Sequence, residues 1–318
     1  MKHWIEAARL RTLPLSVSGI IVGSIYALAN PTREILTPTQ VFNWRIFGFA
    51  ILTTLGLQVL SNFANDYGDG IRGTDNERVG EKRAVQSGVI SAAAMRRGII
   101  VTALLTLLSA LLLIYFSFHE DHLIYSLLFF ILGLLAIASA IRYTVGNTAY
   151  GYRGYGDMFV FVFFGLVSTL GVNFLHSKQV DAQLILPAAA IGLLSVGVLN
   201  LNNMRDEQSD RKAGKNTIVV KIGGAAAKKY HYFLVITAMV LVLVFAIIYN
   251  GVGFRFDQYL FLLAYFPLVS HLLRVRRNQD PKRLDPELKK LALSTFALAI
   301  LLSMGLIFFL SDLIVNNA

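Results

Sequence analysis

The sequence predicts an all-α membrane protein, a bundle of about nine transmembrane helices. Of its 318 residues, 55% are hydrophobic and 15% are charged, and the mean hydropathy is +0.60. A water-soluble protein cannot hide so much apolar surface, because its exterior must face water. Long uncharged segments recur along the chain, and about 20 apolar residues cross a bilayer as a helix. Helices are the expected spanning structure because a backbone in lipid must satisfy its own hydrogen bonds.

Nine such segments define the predicted spans of what we treat as one transmembrane domain over residues 1–318. In chain order they are Leu13–Ala29, Ile46–Asn65, Gly98–Phe118, His122–Ile141, Met158–Leu175, Ala182–Met204, Tyr230–Asn250, Gln258–Leu273 and Leu291–Ser311. The first follows basic residues and ends in small ones, as cleavable signal peptides do. Because eight more spans follow, we interpret it as an uncleaved helix. The absence of cysteine excludes disulfides and thiolate metal sites.

The distribution of lysine and arginine supports the same nine spans. With the N-terminus in the cytoplasm and the spans alternating, 25 of the 29 lysines and arginines fall on the cytoplasmic side and 4 on the other. This asymmetry is typical of membrane proteins. It accounts for the net charge of +10 without a nucleic-acid partner, so the lipid bilayer is the partner that it predicts.

The second and sixth predicted spans end in similar polar sequences. Asn62 and Asn202 lie 140 residues apart, as do Asp66 and Asp206, and four spans separate the members of each pair. An even number of spans returns the chain to the same side of the membrane. We therefore expect two related four-helix units plus one helix, with both polar ends at the cytoplasmic face.

Each polar end carries an acidic cluster. Asn62, Asp66 and Asp69 are spaced i, i+4 and i+7, and Asn202, Asp206 and Asp210 are spaced i, i+4 and i+8. Such spacing places side chains on one helical face. Neighbouring carboxylates repel each other, a cost that a divalent cation removes. Magnesium takes one or two carboxylates and fills its other positions with water and substrate phosphates. The four aspartates are therefore candidate magnesium ligands and catalytic residues; a solvated loop of ion pairs is the alternative.

Polar neighbours of the two clusters complete a candidate binding site for a diphosphate. Amide side chains can supply neutral oxygen ligands or hold carboxylates in place, and cationic side chains can contact phosphate oxygens. The amides are Asn62, Asn65, Asn202 and Asn203, and Asp75 lies a little beyond the first cluster. The cations are Arg72, Lys82, Arg83, Arg205, Arg211, Lys212 and Lys215. Whether Asp75 also binds metal stays open.

Two motifs resemble the aspartate-rich motifs of UbiA-type intramembrane prenyltransferases. The segment 65–75, NDYGDGIRGTD, resembles the first motif, and the segment 206–215, DEQSDRKAGK, resembles the second. Two further segments are similar to the branch of that superfamily that prenylates 1,4-dihydroxy-2-naphthoate in menaquinone biosynthesis. They are RLRTLPL at 9–15 and GYRGYGDMFVFVFFG at 151–165.

The resemblance implies a reaction at the cytoplasmic face of a cell inner membrane. Magnesium on the two motifs would hold a polyprenyl diphosphate, and the prenyl group would pass to 1,4-dihydroxy-2-naphthoate with loss of its carboxylate, giving demethylmenaquinone. Arg142 and Arg153 are candidates for binding the acceptor carboxylate, with a structural ion pair at the start of the fifth span as the alternative. Tyr143 belongs to a group of aromatic residues that could face the prenyl cation, with an interfacial aromatic belt as the alternative.

Other functions use the same residues. A different aromatic acceptor, such as 4-hydroxybenzoate or homogentisate, a porphyrin side chain, or a cyclase without an acceptor would keep the fold and the aspartates. A cation transporter would use the aspartates as a pathway, although transport sites usually lie near the membrane midplane. The six histidines lie mostly near span ends, and we interpret them as interfacial.

Overall fold

The structure, a computed structural model, describes residues 2–29, 42–73, 83–119, 122–251 and 255–317, with side chains up to Leu310. In these ranges the regular secondary structure is entirely helical, and nine helices are long and apolar enough to cross a membrane. They are α1 Lys2–Ala29, α2 Trp44–Arg72, α3 Ala92–Phe118, α4 Leu123–Arg142, α5 Gly156–Ser177, α6 Ala182–Lys212, α7 Gly224–Asn250, α8 Phe256–Arg277 and α9 Pro281–Leu310. The predicted nine-helix membrane bundle is confirmed.

Helices α2 and α6 extend beyond the apolar segments that predicted them, and the extensions carry the acidic clusters. α2 continues to Arg72 and α6 to Lys212. Gly73 ends α2 in the left-handed conformation, with a φ of 69°, and its N–H bonds to carbonyl groups of the last turn. Because the helices continue, each cluster has its members on one helical face.

Helix α6 lies at the centre of the bundle and α4 at its edge. The apolar segment of α6 is 72% buried, whereas that of α4 is 6% buried. Small residues bring α6 close to α5: a Cβ on Gly165 would lie 2.6 Å from the carbonyl oxygen of Ala188 and 2.7 Å from the Cα of Gly192. Close backbone approach through small residues is a common way of packing helices in membranes.

Helix α5 departs from regular α-helical geometry in its centre. Phe161–Gly171 forms a π-helix between the α-helical segments Gly156–Val160 and Val172–Ser177. π-Helical segments are rare in proteins, and those that occur often lie at functional sites. The sequence did not predict this one, because a continuous apolar run is compatible with either helix type.

A buried hydrogen-bonded chain joins α7, α8 and α9. The Nε2 atoms of His231 and His271 lie 2.8 Å apart, and Nδ1 of His271 lies 2.6 Å from Oε2 of Glu287. Both imidazoles are fully buried. The interpretation of these two histidines as interfacial is therefore wrong. His271 has a partner on each neighbouring helix, and His231 has one through Nε2, whereas its buried Nδ1 has none among the described residues. The sequence does not reveal these contacts between helices.

Candidate active site

A cavity of about 340 Å³ runs inside the bundle from the ends of α2 and α6 toward the opposite side. The polar residues that line it near the acidic clusters are Arg9, Arg11, Thr12, Gln58, Asn62, Asn65, Asp69, Arg83, Asn202, Lys215 and Lys289. The remaining wall is mainly apolar and includes Ile20, Leu113, Phe129, Leu132, Gly133, Val167 and Leu175. This distribution suits a molecule with a charged head and a long hydrocarbon tail.

Positive charge dominates the polar end of the cavity. Among the residues that the structure describes, its lining has five basic side chains and one carboxylate, that of Asp69. Arg9 lies at a break within α1, where its backbone adopts the left-handed conformation with a φ of 52°. A non-glycine residue held in that conformation is more common at functional sites than elsewhere. An excess of basic groups in a cleft concentrates anionic ligands. The sequence did not identify Arg9, Arg11 and Lys289 as site residues, because they lie outside both aspartate-rich motifs.

Asp69 is the carboxylate around which the polar end is organised. It is buried, the hydroxyl of Tyr152 donates to its Oδ1 at 2.8 Å, and Nη2 of Arg83 donates to its Oδ2 at 3.2 Å. The ring of Tyr152 contacts two cations: the guanidinium of Arg72 is 4.3 Å and the ammonium of Lys215 is 5.4 Å from its centroid. Cations attract aromatic faces at such distances, so Tyr152 orders this side of the site.

Lys215 joins the two acidic clusters. Its Nζ lies 3.9 Å from Oδ2 of Asp69 and 3.8 Å from Oδ1 of Asp210. All three side chains are buried, so two carboxylates on different helices face one cation. Among the described residues, no three histidine, aspartate or glutamate side chains converge on one point. The donors present fit magnesium, which takes one or two carboxylates and draws its other ligands from phosphates and water.

The other two aspartates bind protein groups. Both oxygens of Asp66 accept backbone N–H bonds, from Val85 at 2.8 Å and from Ala84 at 2.9 Å. Both oxygens of Asp206 accept bonds of 2.8 Å from Arg205, through Nε and Nη2. Neither carboxylate lines the cavity, and Asp210, also outside the lining, reaches its edge through Lys215. A carboxylate oxygen can accept more than one bond.

An aromatic wall adjoins the polar end of the cavity. Tyr143, Tyr150 and Phe159 line it; the rings of Tyr150 and Phe159 stack with centroids 4.0 Å apart, and Tyr143 meets Tyr150 edge to face at 5.3 Å. Burial, with a smaller contribution from Tyr143, raises the pKa of the Tyr150 hydroxyl above its usual value. The hydroxyl donates to the Ser139 carbonyl at 3.0 Å. Tyr150 therefore stays neutral and presents its ring.

The structure separates the remaining candidates. Asn62, Asn65 and Asn202 line the cavity, whereas Asn203 is buried outside the lining. Five predicted cations are exposed and outside the lining: Arg72, Arg142, Arg153, Arg211 and Lys212. Arg142 donates to the Thr148 hydroxyl at 3.0 Å. Asp75 and Lys82 lie outside the described residues. The roles predicted for all these residues stay predictions.

Comparison with known proteins gives one family. The sequence profile described as "UbiA prenyltransferase family" matches residues 34–293. A relative from Haemophilus influenzae named 1,4-dihydroxy-2-naphthoate octaprenyltransferase is 41% identical over 309 residues, which is 96% of each chain. A relative of the same name from Escherichia coli K12 is 41% identical over 90% of this chain and 89% of its own.

A solved structure shares the fold. It is described as a UbiA homolog from Archaeoglobus fulgidus bound to GPP and Mg²⁺. It superposes with a TM-score of 0.63 at 14% identity, over 95% of this chain and 99% of its own. At that identity the likeness concerns the arrangement of the helices.

Proposed function

The chain belongs to the UbiA prenyltransferase family, and from that premise we propose that it transfers a polyprenyl group from polyprenyl diphosphate to 1,4-dihydroxy-2-naphthoate. The acceptor loses its carboxylate as carbon dioxide, and demethylmenaquinone is formed in its reduced form. The observation that carries this proposal is the cavity: a basic, aspartate-containing end continues into an apolar interior. The relatives of the same name, 41% identical, favour naphthoate over other aromatic acceptors.

The polar end would bind the diphosphate. Arg83 and Lys215, both held beside Asp69, would pair with phosphate oxygens. Asp69 and Asp210 are the carboxylates placed to hold magnesium, with Asp66 and Asp206 as further candidates. When bound, magnesium would supply Lewis-acid stabilisation of charge on the leaving diphosphate.

The reaction balances without a net proton acceptor. The C–O bond of the prenyl diphosphate breaks and the electron pair leaves with pyrophosphate. A ring carbon of the acceptor forms the new C–C bond, and the carboxylate departs as carbon dioxide, leaving its electron pair in the ring. The protein's task is thus to bind anions, shield the allylic cation from water and present aromatic faces to it. Tyr143, Tyr150 and Phe159 are placed for the last task.

The acceptor carboxylate needs a cation at the cavity wall. Arg9, Arg11 and Lys289 line the cavity and are better placed for this than the exposed Arg142 and Arg153. The excess of lysine and arginine on one side of the predicted spans supports a polar end of the cavity, and an N-terminus, at the cytoplasmic face of the membrane. We treat residues 1–318 as one domain, since the cavity lining draws on helices from α1 to α9.

Product analysis tests the proposal. The purified protein is incubated in detergent with octaprenyl diphosphate, magnesium and a panel of acids: 1,4-dihydroxy-2-naphthoate, 4-hydroxybenzoate and homogentisate. We expect mass spectrometry to detect the decarboxylated prenyl naphthoquinol and equimolar pyrophosphate. If only another acid of the panel gave a prenylated product, that acid would replace 1,4-dihydroxy-2-naphthoate as the proposed acceptor. Ion flux in liposomes without pyrophosphate release would favour the transporter and contradict prenyl transfer.

A further inference from the structure

Asp285 connects α9 to α1 and α6 at the edge of the candidate site. It is the first residue of the α-helical part of α9. Nη1 of Arg11 donates to its Oδ2 at 3.3 Å, and Nη1 of Arg205 donates to its Oδ1. Asp285 is outside the cavity lining, whereas Arg11 is part of it.

Arg205 is the centre of this connection. Its side chain is 1% exposed, and its guanidinium binds three partners: both oxygens of Asp206, Oδ1 of Asn202 at 2.7 Å and Asp285. A guanidinium carries its donors in a rigid planar fork, so a partner on one side fixes the direction of the others. The position of Asp285 therefore determines where Arg205 holds Asp206 and Asn202.

Charge balance supports the same conclusion. Arg11 and Arg205 contribute two positive charges, and Asp206 and Asp285 contribute two negative charges. Without Asp285 the buried Arg205 would keep a single carboxylate partner, Asp206, and its Nη1 would lose its anionic acceptor. Removing one partner from a buried ionic group is costly, so the guanidinium would turn toward another acceptor and carry Asp206 and Asn202 with it.

We propose that Asp285 is a positioning residue of the diphosphate site: through Arg205 and Arg11 it sets the geometry of the second acidic cluster and of one cavity wall. The inference deepens the proposed function and rests on it for the identity of the ligand. It assigns a role to α9, whose sequence belongs to neither aspartate motif.

Binding of inorganic pyrophosphate with magnesium, without an acceptor, tests this role. Asp285→Asn keeps the shape of the side chain and removes its charge. Loss of a partner that orients a ligand typically costs about 10- to 100-fold in affinity, so we expect the Kd for pyrophosphate to rise about tenfold or more. In turnover the KM for the prenyl diphosphate should rise more than the KM for the acceptor, a difference that general destabilisation does not produce.

Two variants complete the experiment. Asp280→Asn is the matched control, because Asp280 precedes α9, is half-exposed and pairs with Arg283 at 3.7 Å, outside the Asp285 network; we expect wild-type binding. Asp285→Glu keeps the charge but displaces it by one methylene, so its affinity should lie between those of the wild type and Asp285→Asn. If Asp285→Asn does not fold, Asp285→Glu decides alone.

The outcomes separate the two proposals. Wild-type affinity in Asp285→Asn, or in Asp285→Glu when it decides alone, overturns the positioning role and leaves prenyl transfer untouched. A wild-type protein that binds no pyrophosphate in the presence of magnesium overturns both. A loss of affinity in Asp280→Asn equal to that in Asp285→Asn would show a general effect of charge on this segment and would also reject the positioning role.

Discussion

The contacts of the four predicted aspartates divide them into two kinds. Asp69 lines the cavity and shares Lys215 with Asp210, whereas Asp66 holds a backbone segment and Asp206 holds Arg205. Helical spacing predicted that the side chains of each acidic cluster share one helical face. It cannot distinguish between the aspartates of one cluster, because all of them follow the same spacing. Which carboxylate meets the cavity depends on the neighbouring helices, so this distinction lies beyond the sequence.

Asp69→Asn tests the central carboxylate. The amide cannot carry the charge that faces Arg83 and Lys215, so we expect turnover to fall at least 100-fold, about 2.7 kcal/mol in the barrier. Circular dichroism and gel filtration should show a folded protein. Asp257→Asn, at the start of α8, partly exposed and outside the cavity lining, is the control and should retain wild-type turnover. Full activity in Asp69→Asn would remove this residue from the mechanism.

Tyr152→Phe isolates one hydrogen bond. The variant keeps the ring that contacts Arg72 and Lys215 and loses the hydroxyl that donates to Asp69. A hydrogen bond to a charged group contributes about 1.5–3 kcal/mol, so we expect kcat/KM to fall about tenfold or more. Tyr155→Phe is the matched control, since Tyr155 lies in the same segment between α4 and α5 and is exposed. Equal rates in the two variants would contradict the role of the hydroxyl.

At the scale of elements, the number and order of the helices follow from the sequence and their fine geometry does not. The length of an apolar run is a one-dimensional property, and it located nine spans correctly. The polar extension of α6 is helical because it packs within the site, with Asp206 and Asp210 buried. The π-helix of α5 and the buried pair His231 and His271 depend on contacts between helices, which no local pattern records.

Gly165→Ala tests the contact between α5 and α6. The added Cβ would lie 2.6 Å from a backbone oxygen of α6, so the helices must separate. Overpacking costs about 1–3 kcal/mol, and we expect a lower melting temperature in detergent together with reduced turnover. Gly48→Ala is the control, since a Cβ there has no neighbour within 4 Å among the described residues. An unchanged melting temperature in Gly165→Ala would show that the contact is not as close as described.

At the scale of the whole molecule, one cavity joins the charged and the apolar halves of the site. Its lining residues come from helices at both ends of the chain, which explains why the two aspartate motifs located the polar end but not its full set of basic residues. Arg9 and Lys289 reach the same space from α1 and α9, 280 residues apart. Only the packed bundle brings such positions together.

Gly133→Leu tests the path of the substrate tail. Gly133 lines the apolar part of the cavity, and within the described ranges a Cβ there meets only Ala110, at 3.9 Å. It lies about 15 Å along α4 from Tyr143, at 1.5 Å per residue. A leucine should increase the KM for octaprenyl diphosphate by a factor several times larger than the factor for geranyl diphosphate, whose tail is much shorter. Gly48→Leu should leave the ratio of the two KM values unchanged, and an unchanged ratio in Gly133→Leu would place the tail elsewhere.

Chelation tests the metal requirement of the intact protein. We expect EDTA to stop turnover and an excess of magnesium to restore it, because two buried carboxylates facing a polyanion need a divalent cation between them. Calcium, which prefers more ligands and longer distances, should restore less activity than magnesium. Turnover that persists in EDTA would reject the magnesium role of Asp69 and Asp210.

The sparse burial of α4 has a consequence for the kind of molecule that this protein can accommodate. Phe129, Leu132 and Gly133 form a cavity wall on a helix that has little other protein behind it. A hydrocarbon tail that is longer than the cavity would pass at α4 from the apolar cavity into the apolar interior of the bilayer, without contacting water. Each added isoprene unit then changes the free energy of association very little, so the enclosed part of the tail, rather than its total length, governs which donors are accepted.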